Sequence, residues 1–537
     1  MTAIVKKRTR DVVHMTAAFL VRAPIISSSS SSFSTFTAAQ LRHRHLHLHR
    51  PHRHCNRRRK HKNTMTPRTR KTISAAVVGE ERGEKLFMGM DFGTSGCRVS
   101  LIDEHGVQKF ETSVKYTDTR EATSVTSSSS SSSMTAIWED ALWTSLENIP
   151  RETRERIVSV AIDGTSGTVI IVHPESGEPL YKAMMYNEKF EEGAQYLASE
   201  SCRVPDGHVT RSSTSALSKL AHYFANENPK PDSYKLLHHA DWLSFKLHET
   251  MGVSDFNNSL KLGFDPGSET YPQWMLDLPF AEALPKTMLP PGARIGLVQN
   301  ARAKEFLSNP ECVVCTGTTD SVAAFIASGA TEPGDACTSL GSTLAWKLIS
   351  EARVDDGRVG IYSHKIGDQY WLVGGACNTG GNILRAFFTN DELQSLTVTI
   401  EKENMYELNL FGARDADFFK SNAGGDFGLE VSDAVKRCEI ERETCENDAV
   451  FLCKIFSSIA KAEKRCYQNA NAMGASEKLK KVYTSGGGAA NATWCQMRSS
   501  CLSSESPGAK IDVVASEYTE ASYGTALLAK KGYHSRR

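Results

Sequence analysis

The stretch that decides the fold reads LFMGMDFGTSGCRVSLID and spans residues 86–103. An apolar segment, a turn of glycine, threonine and serine, and a second segment rich in β-formers predict a β-hairpin. Such a turn directs backbone N–H groups and hydroxyls into one concavity, which suits an anionic phosphate. Asp91 offers a carboxylate that suits hydrated Mg²⁺. An ordinary polar hairpin has the same composition, so this stretch alone leaves both interpretations open.

Two later stretches repeat this chemistry. Residues 335–349 read DACTSLGSTLAWKLI and predict a second hairpin with a Gly-Ser-Thr turn. Residues 482–491 read VYTSGGGAAN, in which a strand runs into glycines whose bare backbone permits close approach of an adenosine or a phosphate group. Three such elements in this order indicate two α/β halves with ATP held in the cleft between them.

The chain between these elements mixes strand and helix signals, which predicts the α/β class. Ile157–Ile162 is an apolar strand that ends in Asp163-Gly164-Thr165-Ser166-Gly167. A second strand, at Val313–Val314, breaks at Thr316-Gly317-Thr318-Thr319-Asp320, and apolar spacing after the break favours a helix.

These motifs resemble the FGGY carbohydrate kinases, and the resemblance covers Lys85 to Lys531. The matching segments are the opening strand and turn, the segment with the catalytic aspartate, the second phosphate turn, the adenosine turn and the closing helix: Met88–Asp103, Thr316–Gly329, Leu340–Thr343, Ser485–Asn491 and Ala521–Ala529. The resemblance implies a two-domain actin/hexokinase-like ATPase fold, with ribonuclease H-like domains and an interdomain cleft. It places the N-terminal domain at residues 84–329 and the C-terminal, ATP-binding domain at residues 330–537.

The resemblance also implies residue roles. Asp320 would be the general base that takes the proton of the attacking sugar hydroxyl, and Asp91 would hold Mg²⁺ through water. Asp91, Asp163, Ser166 and Asp320 would form the substrate site. The ATP-binding residues would be Thr94, Ser95, Gly341, Ser342, Thr343, Gly486, Gly487 and Asn491. Helix capping by Asp320 and a purely structural turn at Asp163–Gly167 are the alternative interpretations.

The acceptor is predicted to be a ketopentose phosphorylated by ATP on its terminal C5 hydroxyl. The Arg-Glu pair of glycerol kinases and the Met-His pair of many xylulose kinases are absent, since Thr168-Val169 follows Gly167. The strings DGTSG, MYNE and SDFNNSLKLGFDP look most like the plant and cyanobacterial branch that favours D-ribulose. We therefore expect D-ribulose, with D-xylulose as the alternative.

Charge is distributed unevenly along the chain. Residues 1–79 hold 17 of the 63 basic residues and one of the 62 acidic residues, which leaves 46 basic against 61 acidic residues in the remainder. The excess of acidic residues after residue 79 argues against nucleic acid as a partner. No stretch is apolar enough to predict a membrane span. The expected partners are a sugar and ATP, and the expected assembly is a monomer or a homodimer.

The segment 1–79 is rich in Arg, Ser, Thr and His, which is typical of a disordered organelle transit peptide and favours the chloroplast stroma. A nuclear or nucleic-acid signal at Arg57–Lys60 and adventitious metal binding by the tract Arg42–His54 are the alternatives. The thirteen cysteines have no disulfide framework, and Cys312 and Cys315 are expected to be buried strand residues.

Two other classes of protein compete with a sugar kinase. A sugar-binding or scaffold protein could keep the fold without turnover, although Asp91 and Asp320 are both present. A chaperone-type or filament-forming ATPase would hydrolyse ATP without sugar.

Overall fold

Two six-stranded sheets organise the chain in the computed structural model, which describes residues 83–119, 133–206, 208–357, 359–403, 405, 430–475, 478–504 and 510–535. The segment 1–79 and most of the second serine run therefore lie outside the described residues. Mixed strands and helices confirm the α/β class. Among the described residues, no helix combines the length and the apolar character that a bilayer crossing requires.

The strands of the first half are β1 (Leu86–Phe92), β2 (Gly96–Ile102), β3 (Gln108–Lys115), β4 (Ile157–Gly164), β5 (Val169–Val172), β6 (Lys235–His238), β7 (Val253–Asp255), β8 (Thr287–Leu289), β9 (Arg294–Leu297) and β10 (Val313–Cys315). The strands of the second half are β11 (Asp335–Leu340), β12 (Leu344–Ser350), β13 (Tyr362–Ile366), β14 (Tyr370–Cys377), β15 (Lys481–Ser485) and β16 (Asp512–Ala515).

The helices up to the middle of the chain are α1 (Met134–Glu147), α2 (Arg151–Arg154), α3 (Glu191–Ala198), α4 (Ala216–Glu227), α5 (His239–His248), α6 (Phe256–Leu260), α7 (Gln273–Leu276), α8 (Ala301–Phe306) and α9 (Asp320–Ala327). The later helices are α10 (Gly381–Phe387), α11 (Asn390–Lys402), α12 (Val431–Arg442), α13 (Asp448–Ala472), α14 (Ala492–Ser503) and α15 (Ala521–His534).

The two sheets share the arrangement of their central strands. The first has the order β3-β2-β1-β4-β10-β9, and the second has the order β13-β14-β12-β11-β15-β16. In the first sheet β1 pairs antiparallel with β2 and parallel with β4, and in the second β11 pairs antiparallel with β12 and parallel with β15. Both hairpins anticipated from the sequence are therefore present, one at the centre of each sheet.

Each sheet has its own apolar core. In the first half, Trp138 and Leu142 of α1 pack with strand residues such as Val160. In the second half, Phe451 and Ile455 of α13 pack under the strands. Burying side chains of this size stabilises the folded state by roughly 1.5–3 kcal/mol each.

Helix α9 connects the two halves. Val322 and Phe325 on this helix join Ile349 and Leu372 of the second sheet in a common apolar cluster. The first residue of the helix, Asp320, therefore lies where the two halves meet.

Polar contacts add a second connection between the halves. The side chain of Asn257 accepts a hydrogen bond from the backbone N–H of Lys365 (3.1 Å) and donates to its carbonyl (3.2 Å). The Lys365 Nζ is 2.9 Å from Glu269 Oε1, and Arg353 forms an ion pair with Asp265.

The last helix, α15, packs on the first sheet. Its residues Tyr523, Ala526 and Ala529 join Phe87 and Ala161 in one buried cluster. The close approach depends on a glycine: a Cβ at Gly89 would lie 2.1 Å from the backbone of α15. The first sheet is thus covered by a helix from the stretch 330–537, so this sheet with its covering helices is not one contiguous piece of chain.

The cysteines that the structure describes are all free thiols. Cys312 and Cys315 are buried, and burial raises the pKa of each to about 12. They have the character of buried apolar side chains, as expected from their position beside a core strand.

Candidate active site

Three carboxylates lie at the carboxyl ends of neighbouring parallel strands of the first sheet. Asp91 near the end of β1 is the register partner of Asp163 near the end of β4. The next parallel strand, β10, leads into α9, which begins at Asp320. The charges of Asp91 and Asp320 act on each other and on Asp163. This edge of an α/β sheet is where ligands bind in such folds.

Asp163 is the innermost member of the group. Its side chain is fully buried, and Thr525 Oγ1 of α15 donates a hydrogen bond to its Oδ2. Burial, followed by the neighbouring charge of Asp91, raises the pKa of Asp163 well above its usual range. A neutral Asp163 can donate a hydrogen bond to Asp91. The sequence nominates Asp163 for sugar contact, whereas this placement fits a role in positioning Asp91.

Asp91 is the carboxylate next to the turn of the first hairpin. Burial raises its pKa, while the hydrogen bond with Asp163 and the guanidinium of Arg98, 3.4 Å from Oδ2, lower it. Apart from the contact with Asp163, the Asp91 Oδ1 has no hydrogen-bond partner among the described residues. Carboxylate oxygens of this kind fit Mg²⁺, which keeps several waters and needs only one or two protein carboxylates. Within the described ranges, no cluster of three or more ligating side chains is assembled without substrate.

Asp320 is positioned by a close contact between strands. A Cβ at Gly317 would lie 1.8 Å from the carbonyl oxygen of Ile162, so only glycine lets this loop lie against β4. The N-cap of α9 is Thr319, and the Asp320 Oδ1 accepts from the backbone N–H of Ser321 at 2.7 Å. The capping position is therefore occupied by Thr319, and Asp320 lies in the first turn of the helix.

Two lysines face Asp320 from opposite sides. Burial raises the pKa of Asp320, and the charges of Lys347 and Lys261 act against that rise. Lys347 belongs to β12 of the second sheet, and its Nζ donates to the Ser321 carbonyl at 2.5 Å. Lys261 follows α6 in the first half. Neither lysine was identified from the sequence. The only signal for them there is a charged residue, Lys347, inside an otherwise apolar strand.

Ser166 has a free hydroxyl beside these carboxylates. Its Oγ is buried and has no hydrogen-bond partner among the described residues. The turn that carries it is held by a hydrogen bond between the hydroxyls of Thr165 and Thr168 (2.7 Å) and by Lys219 Nζ, which donates to the Gly167 carbonyl at 2.6 Å. A buried hydroxyl without a partner is costly unless a ligand completes it, so this position is consistent with the predicted sugar contact.

A cavity of about 500 Å³ lies in the second half, between the second hairpin and the glycine turn after β15. Its walls include three of the residues predicted to bind ATP, Gly341, Gly487 and Asn491. Trp494 also lines it, and its indole stacks on Phe456 with ring centroids 4.5 Å apart. The volume lies in the range of small-molecule and cofactor sites, about 300–1,000 Å³.

The remaining predicted ATP-binding residues lie next to this cavity or on the facing hairpin. Ser342 and Thr343 complete the second turn, and Gly486 precedes the glycines that line the cavity. Thr94 and Ser95 are exposed at the tip of the first hairpin. That turn is held by Tyr116, whose hydroxyl donates to the Gly93 carbonyl at 3.0 Å.

Sequence reasoning missed a further glycine turn in the cavity wall. The backbone N–H of Gly381 donates to the Gly341 carbonyl at 2.8 Å, which holds the start of α10 against the second hairpin. From that helix Arg385 donates to Ser342 Oγ at 3.2 Å and lines the cavity. The arginine gives this wall of the cavity a cation. The available sequence signal was the paired glycine at Gly380-Gly381.

A buried ion pair lies behind the cavity. Glu463 of α13 and Arg498 of α14 are both fully buried and form two hydrogen bonds of 2.6 Å. The pair also bonds Thr338 of β11 at 2.6 Å and Thr484 of β15 at 2.8 Å. It thus connects two strands with two helices. Strand β11 leads into the hairpin turn of the cavity wall, and strand β15 leads into its glycine turn.

Comparisons with known proteins agree with this geometry at the level of the fold. The chain matches no protein-family model. A xylulose kinase from Bifidobacterium adolescentis superimposes with a TM-score of 0.60 at 17% identity, over 84% of this chain and 93% of that one. A gluconate kinase from Lactobacillus acidophilus gives 0.60 at 15% identity, over 84% and 89%. A Plasmodium falciparum glycerol kinase with ADP gives 0.60 at 16% identity, over 83% and 89%. The chain therefore has the two-domain fold of these kinases, the actin/hexokinase-like ATPase fold.

Proposed function

We propose that this protein is an ATP-dependent carbohydrate kinase of the FGGY family that phosphorylates the terminal hydroxyl of a ketopentose, D-ribulose to D-ribulose 5-phosphate. The observation that carries the proposal is the position of Asp320. Its carboxylate lies where the two halves meet, near Asp91 on one side and Lys347 of the second sheet on the other. A base between an acceptor pocket and a nucleotide cavity is what phosphoryl transfer to an alcohol requires.

In the proposed reaction, Asp320 takes the proton of the acceptor hydroxyl. The acceptor oxygen forms a bond to the γ-phosphorus, the bond to the bridging oxygen breaks, and ADP leaves with that electron pair. Asp91 would hold Mg²⁺, which when bound neutralises charge on the phosphate oxygens. Thr94, Ser95 and the turn Gly341–Thr343 would hold the phosphates by backbone N–H groups and hydroxyls.

The sugar side of the proposal rests on Ser166 and on the sequence. The unpaired, buried Ser166 Oγ is suited to bind a sugar hydroxyl. The structural neighbours support a kinase through what they have in common, because xylulose, gluconate and glycerol are all polyhydroxylated acceptors. The choice of D-ribulose over D-xylulose depends on the strings DGTSG, MYNE and SDFNNSLKLGFDP.

Release of ADP from the purified protein with Mg²⁺ and ATP, measured with D-ribulose, D-xylulose, glycerol and no acceptor, tests this function. We expect release only with a ketopentose, and we expect Asp320→Ala to reduce it by about 10²-fold or more. Higher kcat/KM with D-xylulose would transfer the assignment to the alternative sugar. Equal release with and without sugar would indicate an ATPase, and sugar binding without turnover a scaffold protein.

We also propose that residues 1–79 direct the protein to the chloroplast stroma. The composition of this segment, with one acid and 17 basic residues, supports the proposal. Fusion of residues 1–79 to a fluorescent protein tests it in plant cells. Nuclear fluorescence would favour the signal at Arg57–Lys60 instead.

A further inference from the structure

The side chain of Lys347 extends into the cleft from a strand whose neighbouring residues face the core. Leu344, Trp346 and Leu348 of β12 are buried among the core residues of the second half. Because side chains alternate along a strand, Ala345 and Lys347 lie on the other face. Lys347 comes four residues after Thr343, the last residue of the second phosphate turn. The strand therefore carries a cation from the nucleotide half toward the other half.

The ammonium group of Lys347 contacts the backbone beside Asp320. Its Nζ donates to the Ser321 carbonyl at 2.5 Å, a contact between β12 and the first turn of α9. An ammonium has three N–H donors, and no second acceptor for Nζ is found among the described residues. Lys347 and Asp320 influence each other electrostatically without forming an ion pair. A cation with unused donors thus lies beside the proposed base.

Among the groups around it, Lys347 is the cation nearest to the backbone beside Asp320. His364 on β13 faces it but is neutral, because burial lowers the pKa of His364 to about 3. Cys337 on β11 also faces it, and burial raises the pKa of that thiol. Lys261 acts on Asp320 from the first half. Asp320 is thus the anionic group that faces Lys347, and the neighbouring sheet residues are uncharged.

The chemistry of the proposed reaction indicates what this cation would bind. When Asp320 accepts the proton of the attacking hydroxyl, the γ-phosphorus must lie within a few ångströms of its carboxylate. The negative charge of the transferring group is spread over its three equatorial oxygens, and a cation at that place can contact them. An ammonium held on the carbonyl of the residue next to the base is within reach of one of them. Cations at this position act most strongly in a site from which water is excluded.

We propose that Lys347 is a further catalytic residue, which reaches across the cleft to bind an equatorial oxygen of the transferring γ-phosphoryl group beside Asp320. The inference rests on the proposed kinase function. Lys347 belongs to the half that holds ATP, and its contact partner belongs to the half that holds the acceptor. Its charge therefore reaches the base only when the two halves are together, so transfer is coupled to their closure.

A purely structural role for Lys347, as a tether between the halves, is the competing explanation. Lys365 provides a matched control because it is also a lysine of the second sheet that contacts the first half, through Glu269 and the Pro266 carbonyl. It differs in that, within the described ranges, its ammonium group has no hydrogen bond or ion pair with Asp320 or the residues next to it. Lys347→Met and Lys365→Met therefore each remove the contacts that one lysine side chain makes between the halves, and only the first removes the proposed phosphoryl contact.

Steady-state kinetics of the full chain tests the proposal. We expect Lys347→Met to lower kcat by about 10²-fold with little change in the KM of the ketopentose, and Lys347→Arg to recover part of that loss. Lys365→Met should leave kcat within a few-fold of wild type. Because burial lowers the pKa of Lys347 to about 8, wild-type kcat should fall above that pH, and this basic limb should move upward in Lys347→Arg. Equal losses of kcat in Lys347→Met and Lys365→Met would overturn the proposal.

Calorimetric binding with Mg²⁺ gives a test that needs no acceptor sugar. Wild-type protein should bind a non-hydrolysable ATP analogue more tightly than ADP, and Lys347→Met should lose that difference while binding ADP normally. Retention of the difference in Lys347→Met would overturn the proposal whether or not the sugar has been identified. A wild-type protein that shows the ATP preference but transfers to no sugar would contradict the proposed acceptor and leave the role of Lys347 supported.

Discussion

Asp163 lies beside Asp91 in register on the neighbouring parallel strand and is the member of this buried pair whose pKa is raised further, by its complete burial and by the charge of Asp91. Two ionised carboxylates at this spacing would repel each other in a medium of low polarity. Complete burial raises the pKa of Asp163, and the hydrogen bond from Thr525 offsets only part of that rise. Asp91 is then left with the charge, at the position where the first phosphate turn begins.

Replacing Asp163 by asparagine should change the pH dependence of stability. The pKa of Asp163 is raised in the folded protein, so its favourable contribution is complete below the unfolded pKa and is lost as pH rises toward the folded pKa. Asp163→Asn keeps a donor toward Asp91 and does not titrate. Its free energy of unfolding should therefore increase relative to wild type from about pH 4 upward, by at most about 1.4 kcal/mol per pH unit. Urea unfolding at several pH values measures this, and a constant difference would contradict the protonated state of Asp163.

Removing Lys261 should shift the acid limb of activity. Burial raises the pKa of Asp320, and Lys261 opposes that rise. A base must be ionised, so kcat/KM falls as pH drops through this pKa. In Lys261→Met the pKa of Asp320 should rise further, and the acid limb should move to higher pH. Lys304→Met on the exposed surface of α8 is the control, and an acid limb unchanged by Lys261→Met would show that the two groups do not interact.

Arg385 should affect nucleotide binding and not sugar binding. It donates to Ser342 Oγ in the turn of the second hairpin and lines the cavity proposed to bind ATP. Arg385→Met should raise the KM of ATP by about tenfold, the effect of losing one charged contact worth about 1.4 kcal/mol. The KM of the sugar should be unchanged. Lys436→Met, on the exposed face of α12, should change neither value. An equal rise in both KM values for Arg385→Met would show that the arginine does not act on nucleotide binding alone.

The buried pair Glu463–Arg498 should contribute strongly to stability. Arg498→Met leaves Glu463 buried without its partner, which should lower the free energy of unfolding by about 3–5 kcal/mol. The double variant Glu463→Gln with Arg498→Met should regain much of the loss, because no uncompensated charge remains. Thermal unfolding of the three proteins decides this. A double variant no more stable than Arg498→Met would show that the uncompensated charge of Glu463 is not what destabilises the single variant.

The sequence predicted those parts of the site that depend on local patterns. The hairpin at Asp91–Gly96 and the one at Leu340–Thr343 follow from apolar segments around Gly-Ser-Thr turns, and both are present at the sheet centres. Asp320 was placed correctly at the start of a helix after a strand. These features depend on neighbours in the chain, so their composition is enough to reveal them.

The features that were missed depend on contacts between distant segments. Periodicity shows that Lys347 faces away from the core, but it cannot show that Ser321 lies opposite across the cleft. Asp163 resembles a sugar ligand at the end of its strand until Thr525, 362 residues later, is found above it. Its exposure and its protonation are set by that distant helix.

The return of α15 to the first sheet has a consequence for synthesis on the ribosome. Ser100 and Ser522 share a hydrogen bond of 2.8 Å although 422 residues separate them. The face of β1 that Gly89 leaves open stays uncovered until the 422 residues that separate Ser100 from Ser522 have been added. Nascent chains commonly fold from the amino terminus while translation continues, but here the first lobe must wait for the last helix. During that interval its apolar surface is a ready substrate for chaperones.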